Sequence, residues 1–233
     1  LDLFEQVTGA RLLYNYIWPG GLAHDLPNNF INNAIEFLDY FEPQIIEYDN
    51  LLTTNKIFIE RSADVGVMPK EVAINYGVTG PSLRASGIAF DLRKTEPYSI
   101  YDKFDFDVPV GEGAMGTVGD SWDRYYVRVL EMKESIKILR QAMAQIPEGD
   151  VQSAMPKKIR PKKGEVYSRY ETARGDVGFY IRSDGKNTPT RLKMRSPAYC
   201  NLSVLNEISA GWMISDVITV LGSLDIVLGE IDR

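Results

Sequence analysis

The 233-residue sequence is 44% hydrophobic, enough to bury a core in one large domain or two small ones and to exclude a disordered tail. A net charge of −6 and a pI near 5.0 argue against nucleic acid as a general partner, because phosphate neutralisation needs surplus Lys and Arg on one face. One cysteine, Cys200, and one histidine, His24, exclude an internal disulfide and leave too few soft ligands for an all-protein zinc or iron–sulfur site.

The chain begins at Leu1 without Met or a signal-peptide pattern, so it reads as a fragment of a protein suited to the cytosol. No apolar run approaches the ~20 residues of a membrane span; even Trp212 to Leu228 is interrupted by Ser215, Asp216 and Asp225. Leu3, Val7, Ala10, Leu13 and Tyr14 recur at helical spacing and predict one buried helix over Leu1 to Tyr16, stopped by Pro19, Gly20 and Gly21. A second, long helix follows from the stripe Ile31, Ala34, Ile35, Leu38, Phe41, Ile45, Tyr48 and Leu52, with a kink expected at Pro43.

Pro69 and Gly77 bracket a short helix. From Gly80 to Gly116 glycine and proline recur without a sustained helical period, which predicts an irregular segment packed over other elements. Gly111, Gly113 and Gly116 do not introduce a βαβ unit, and acids open the next helix, so they are a poor phosphate cradle. Asp120 caps that helix, whose apolar positions Trp122, Tyr125, Val129, Met132, Ile136, Leu139, Met143 and Ile146 run to Pro147.

The basic run Lys157, Lys158, Arg160, Lys162 and Lys163 reads as a solvated loop sooner than a lipid-headgroup patch. Strands are expected in 164–195, with turns at Gly175 and Gly185, and one helix over Asn201 to Leu221. The resulting fold class is α+β, mostly α. Residues 1–150 form a helical bundle core with an irregular 80–116 segment, 164–195 a small antiparallel sheet, and 198–233 a C-terminal helix and closing segment.

That closing segment sets Asp225, Glu230, Asp232 and Arg233 among aliphatics. Spacing alone allows an amphipathic tail with solvated acids as readily as the polar end of an apolar pocket. Asp225 to Arg233 resembles the C-terminus of the quinone-site subunit (the D-type or 49 kDa-type subunit) of complex I NADH:quinone oxidoreductases. That family is similar to the large subunit of nickel–iron (NiFe) hydrogenases. Where the hydrogenases place two nickel-binding cysteines after the aspartate, this chain has Val227 and Glu230. An aliphatic and a carboxylate cannot replace soft thiolates, so no metal is expected here.

Further matches follow the family's order. Thr8-Gly9-Ala10-Arg11, Pro19-Gly20-Gly21 and Asp25-Leu26-Pro27 match upstream, with Trp18 where the family commonly has arginine. Thr79-Gly80-Pro81, Leu83-Arg84, Ser86-Gly87 and Asp91-Leu92-Arg93-Lys94 form the longest near-continuous match. Glu171 to Gly175 resembles Glu-Ala-Pro-(Lys or Arg)-Gly with Ala173 for proline, and Arg195 to Asn201 a further shared stretch. Cys200 is read as a small buried filler.

The resemblance implies a hydrogenase-large-subunit-like fold and a quinone chamber formed by Arg174, Asp225, Val227, Glu230 and Arg233. Val227 would be a wall and the charged residues a network. Arg11, Arg84, Asp91 and Arg93 would be structural support. It implies quinone as substrate, a terminal 4Fe–4S cluster on a small partner subunit, NADH and FMN on others, and a C-type peripheral subunit and a membrane subunit as further partners. The protein would lie at the cytoplasmic face of the bacterial inner membrane, peripheral through its partners, in a proton-translocating respiratory enzyme whose isolated fragment is inactive. A hydrogenase-derived complex with a ferredoxin or F420 donor, or a non-catalytic docking scaffold, shares these features.

Overall fold

The computed structural model describes residues 1–156 and 158–232. The first helix, α1 (Asp2–Thr8), ends where Gly9 turns left-handed (φ 71) and donates its N–H to Glu5 O. The expected Leu1 to Tyr16 helix is therefore broken by that glycine: Val7 is buried, but Leu13 is 97% exposed. A two-residue pairing of β1 (Ile17–Trp18) with β2 (Gly21–Leu22) follows. His24 is engaged structurally, its Nε2 lying 2.6 Å from Val7 O.

Helix α2 (Phe30–Tyr48) runs through Pro43 and passes into a π-helical turn over Asp49–Thr53, burying Ala34, Leu38 and Ile45. Short helices α3 (Lys56–Ser62) and α4 (Lys70–Asn75) come next, Pro69 sitting just before α4. The segment expected to be irregular holds α5 (Pro81–Ala85), buried throughout, α6 (Leu92–Thr95) and a 3-10 turn at Tyr101–Lys103. Their lengths, four or five residues, are below what a helical period can register in sequence.

Helix α7 (Ser121–Gln145) is the central element. One face joins α2 through Leu38, Ile45, Val129 and Ile136. A second face, absent from the stripe read in sequence, packs Ile138 on Phe104 and Phe106, while Leu139 is 42% exposed. Asp120 caps α7 as expected: its carboxylate accepts N–H bonds from Asp123 and Asp64 at 2.8 Å and from Thr117 at 3.1 Å. Asp123 in turn takes the N–H groups of Gly113 (3.0 Å) and Gly119 (3.3 Å), so this glycine loop serves its own carboxylates.

Burial pushes both acids above the ordinary carboxylate range. Asp120→Ala should cost about 2 kcal/mol in urea unfolding, because three N–H donors lose their acceptor at a buried helix start. A loss indistinguishable from zero would mean that α7 does not depend on this cap.

Strands β3 (Gly164–Thr172), β4 (Gly175–Ser183) and β5 (Arg191–Arg195) form one antiparallel sheet in that order. Thr172 pairs with Gly175, so Ala173 and Arg174 make a two-residue turn. Of the basic run, Lys157 lies outside the described residues; Lys158, Arg160, Lys162 and Lys163 are exposed.

Instead of one helix over Asn201 to Leu221 there are three: α8 (Pro197–Ser203), α9 (Leu205–Ser209) and α10 (Ile214–Leu224), followed by α11 (Leu228–Ile231). Extended backbone at Ala210 and a left-handed Gly211 (φ 84) separate α9 from α10. The fold is α+β with a small antiparallel sheet. Among the described residues the largest apolar cluster joins Met68, Val78 and Leu83 to Val204, Val220 and Leu224, which puts the end of α10 in one core with Leu83 of α5, while α10 also packs along α7.

Candidate functional site

The end of α10 carries Asp225, a non-glycine residue in the left-handed region (φ 52, ψ 53). Two guanidinium groups hold it. From the β3–β4 turn, Arg174 places Nη2 3.3 Å from Asp225 Oδ1 and donates Nε to Asp225 O at 3.4 Å. From α7, Arg128 places Nε 3.6 Å from Asp225 Oδ2, and donates Nη1 to Ser223 O (2.9 Å) and Nη2 to Leu224 O (3.3 Å). Those carbonyls belong to the last turn of α10, where no intrahelical donor reaches them and a cation is favoured.

One turn earlier on α7, Arg124 is fully buried and donates to Gly119 O (2.6 Å), Gly66 O (2.9 Å), Ser121 Oγ (2.9 Å) and Ser223 Oγ (2.8 Å). Burial pulls its guanidinium down to about 9, which leaves it charged at neutral pH. The Arg128 guanidinium is lowered for the same reason.

A cavity of about 400 Å³ opens beside Asp225 and Arg128 and extends to Arg84, Arg93, Glu131 and Glu171. Arg84, 1% exposed, bridges its two glutamates, with Nε 2.6 Å from Glu131 Oε1 and Nη1 2.9 Å from Glu171 Oε1, and Asp91 at 3.7 Å. Arg93 locks Asp91 at 2.6 Å and stacks over Phe106 at 5.0 Å. Burial holds Glu171 above the ordinary carboxylate range even with Arg84 against it. The lining is thus densely charged, whereas a quinone pocket with one polar end was the sequence-based picture.

The other expected residues fall elsewhere. Glu230 accepts hydrogen bonds from Ser196 Oγ (2.6 Å) and Ala198 N (3.2 Å), beside a separate cavity of about 310 Å³ against Tyr170, Phe179 and Met194. Val227 is 39% exposed just before α11. Arg233 lies outside the described residues. Arg11 makes a surface ion pair with Asp2 (2.8 Å) and Glu5 (2.6 Å), and Cys200 is half-buried, not the buried filler expected. Among the described residues no group of three or more His, Cys, Asp or Glu could hold a metal ion. No helix among them is long and apolar enough to cross a membrane.

Arg128 and Glu131 were missed in the sequence. Their signal was the spacing Arg124, Arg128, Glu131, which puts all three on one side of α7.

The profile described as respiratory-chain NADH dehydrogenase, 49 Kd subunit, matches residues 1–163 and 153–233. The D-type subunit of the NADH-quinone oxidoreductase of Chlorobium phaeovibrioides is 52% identical over 237 residues, covering 100% of this chain and 59% of the relative. Its Chlorobaculum tepidum counterpart gives the same identity and coverage. The D-type subunit numbered 1 in Cytophaga hutchinsonii is 52% identical over 239 residues, 99% of this chain and 61% of the relative. The chain therefore spans about 60% of the length of these curated relatives. With the profile matching along the whole sequence and half of the residues shared, the chain belongs to the family of the 49 kDa subunit of respiratory-chain NADH dehydrogenase.

Proposed function

We propose that this chain forms one wall of the quinone headgroup chamber of a respiratory complex I. The reading is carried by Asp225, held between Arg174 and Arg128 at the edge of the 400 Å³ cavity. Quinone reduction by two electrons creates oxyanions that need hydrogen-bond donors and protons at fixed positions. The guanidinium groups supply donors and positive potential. Glu171, whose carboxyl holds its proton more tightly than an exposed one, is suited to proton exchange at the same cavity. Val227, exposed just before α11, is a further wall residue in this reading, while Glu230, turned to Ser196 beside the separate cavity, stands outside the Asp225 network.

In this reading electrons come from NADH through FMN and iron–sulfur clusters on other subunits, the last a 4Fe–4S cluster on a small subunit packed against this one. Their arrival at quinone is coupled to proton translocation. A C-type peripheral subunit and a membrane protein of the complex complete the chamber, and they hold this chain at the cytoplasmic face of the inner membrane. Asp225→Asn in the intact complex should lower the quinone reductase kcat about 100-fold with normal assembly, the lower end of the loss typical of a positioned acid–base group. An unchanged rate and inhibitor sensitivity in fully assembled enzyme would remove Asp225 from the chamber.

A further inference from the structure

A left-handed aspartate at a helix end is held only if its surroundings over-determine it. At Asp225 the restraint comes largely from Arg128. Its two Nη groups bond the carbonyls of Ser223 and Leu224, the two residues before Asp225, and its Nε faces the carboxylate. That Nε is buried with no hydrogen-bond acceptor, and Asp225 Oδ2 stands 3.6 Å away.

The clamp is anchored in the core. Arg128 also bonds Arg124 O, and Arg124 ties Ser223 Oγ to Gly66 and Gly119. Arg174 reaches Asp225 from a turn with a side chain 36% exposed; it makes the shorter contact to the carboxylate, 3.3 Å against 3.6 Å, but bonds neither the Ser223 nor the Leu224 carbonyl that Arg128 holds.

We infer that Arg128 is a positioning residue of the quinone site: it fixes the last turn of α10 so that the Asp225 carboxylate faces the cavity, and it acts through that carboxylate. This rests on the quinone-site reading above. The side chain grips three consecutive residues in planar fork geometry, which a lysine ammonium cannot reproduce while keeping the charge.

The test is a double-mutant cycle in the intact complex, with Arg128→Gln, Arg128→Lys, Asp225→Asn and both double variants, read as kcat and KM for quinone with assembly measured in parallel. Arg128→Gln should lower kcat ~10- to 100-fold, the scale of a misplaced reacting group, with KM changed far less. Arg128→Lys should recover part of the rate. In the Asp225→Asn background, Arg128→Gln should add little, since the group it positions is gone.

Full multiplicativity of the two losses, or an unchanged kcat in assembled Arg128→Gln enzyme, would overturn the inference. Should Arg128→Gln fail to assemble, Arg128→Lys alone and with Asp225→Asn is judged by the same criteria. If Asp225→Asn leaves rate and inhibitor sensitivity intact, the quinone-site reading itself falls. If Asp225→Asn is damaging but the losses multiply, only the positioning role of Arg128 is lost.

Discussion

Arg84→Met is expected to destabilise the protein by about 3–5 kcal/mol, the range for removing one partner of a buried charge cluster. Arg84 bonds Glu131, Glu171 and the Phe90 carbonyl from a position 1% exposed. Without it Asp91 keeps Arg93, but Glu171, 3% exposed, retains only the Leu92 N–H at 3.3 Å. A methionine fills the volume and leaves that carboxylate uncompensated.

The loss should depend on pH with a defined sign. Burial already holds Glu171 above its ordinary range, and removing Arg84 raises it further. An acid with a raised folded-state pKa contributes favourably below its unfolded pKa. That contribution is lost as pH rises through the folded value. The Arg84→Met deficit should therefore be largest at mildly alkaline pH and shrink at mildly acidic pH, as Glu171 takes up its proton. Urea unfolding of the full-length protein at both pH values measures it; an equal deficit at both would reject the stranded carboxylate as its cause.

Gly80→Ala should be comparably damaging, and should reach the site as well. Gly80 (φ 67, ψ −150) lies in backbone space reserved for glycine, and its added Cβ would fall 2.5 Å from Arg174 O and 2.6 Å from Gly175 Cα. Backbone strain of ~1–3 kcal/mol and overpacking of ~1–3 kcal/mol together give about 2–6 kcal/mol.

The contact is where the β3–β4 turn rests on the Thr79–Gly80 segment, stitched by Asn201, which bonds Thr79 N and O and Arg174 O at 3.0–3.3 Å. Pushing the turn away withdraws Arg174 from Asp225. Lower thermal stability of the assembled complex should therefore come with reduced quinone reduction. Gly222→Ala is the comparison: it sits inside α10 with no heavy atom within 4 Å of the new Cβ, and gains up to ~1 kcal/mol in helix propensity. Equal behaviour of the two variants would remove the close approach at Gly80 as the explanation.

Much of this was legible in the residue order. The Asp120 cap, the two long helices α2 and α7, the strands of 164–195 and the run of signatures ending in Asp225 to Arg233 are local patterns, each set by capping chemistry, periodicity or a short motif. The same locality explains the errors. A helical period over Leu1 to Tyr16 gave no weight to Gly9, and one over Asn201 to Leu221 gave none to Gly211.

The sequence by itself determined the fold class, the family, and the substitution of Val227 and Glu230 for a thiolate pair. Tertiary structure decided which charges meet. Arg128 and Asp225 are 97 positions apart and Arg174 and Asp225 are 51, and no spacing rule spans such distances. Glu230, five residues from Asp225, is directed instead to Ser196 and the start of α8. A half-buried carboxylate takes whichever donors the packed backbone brings within about 3 Å, and that choice is made by the packing of helices, not by neighbours in the chain.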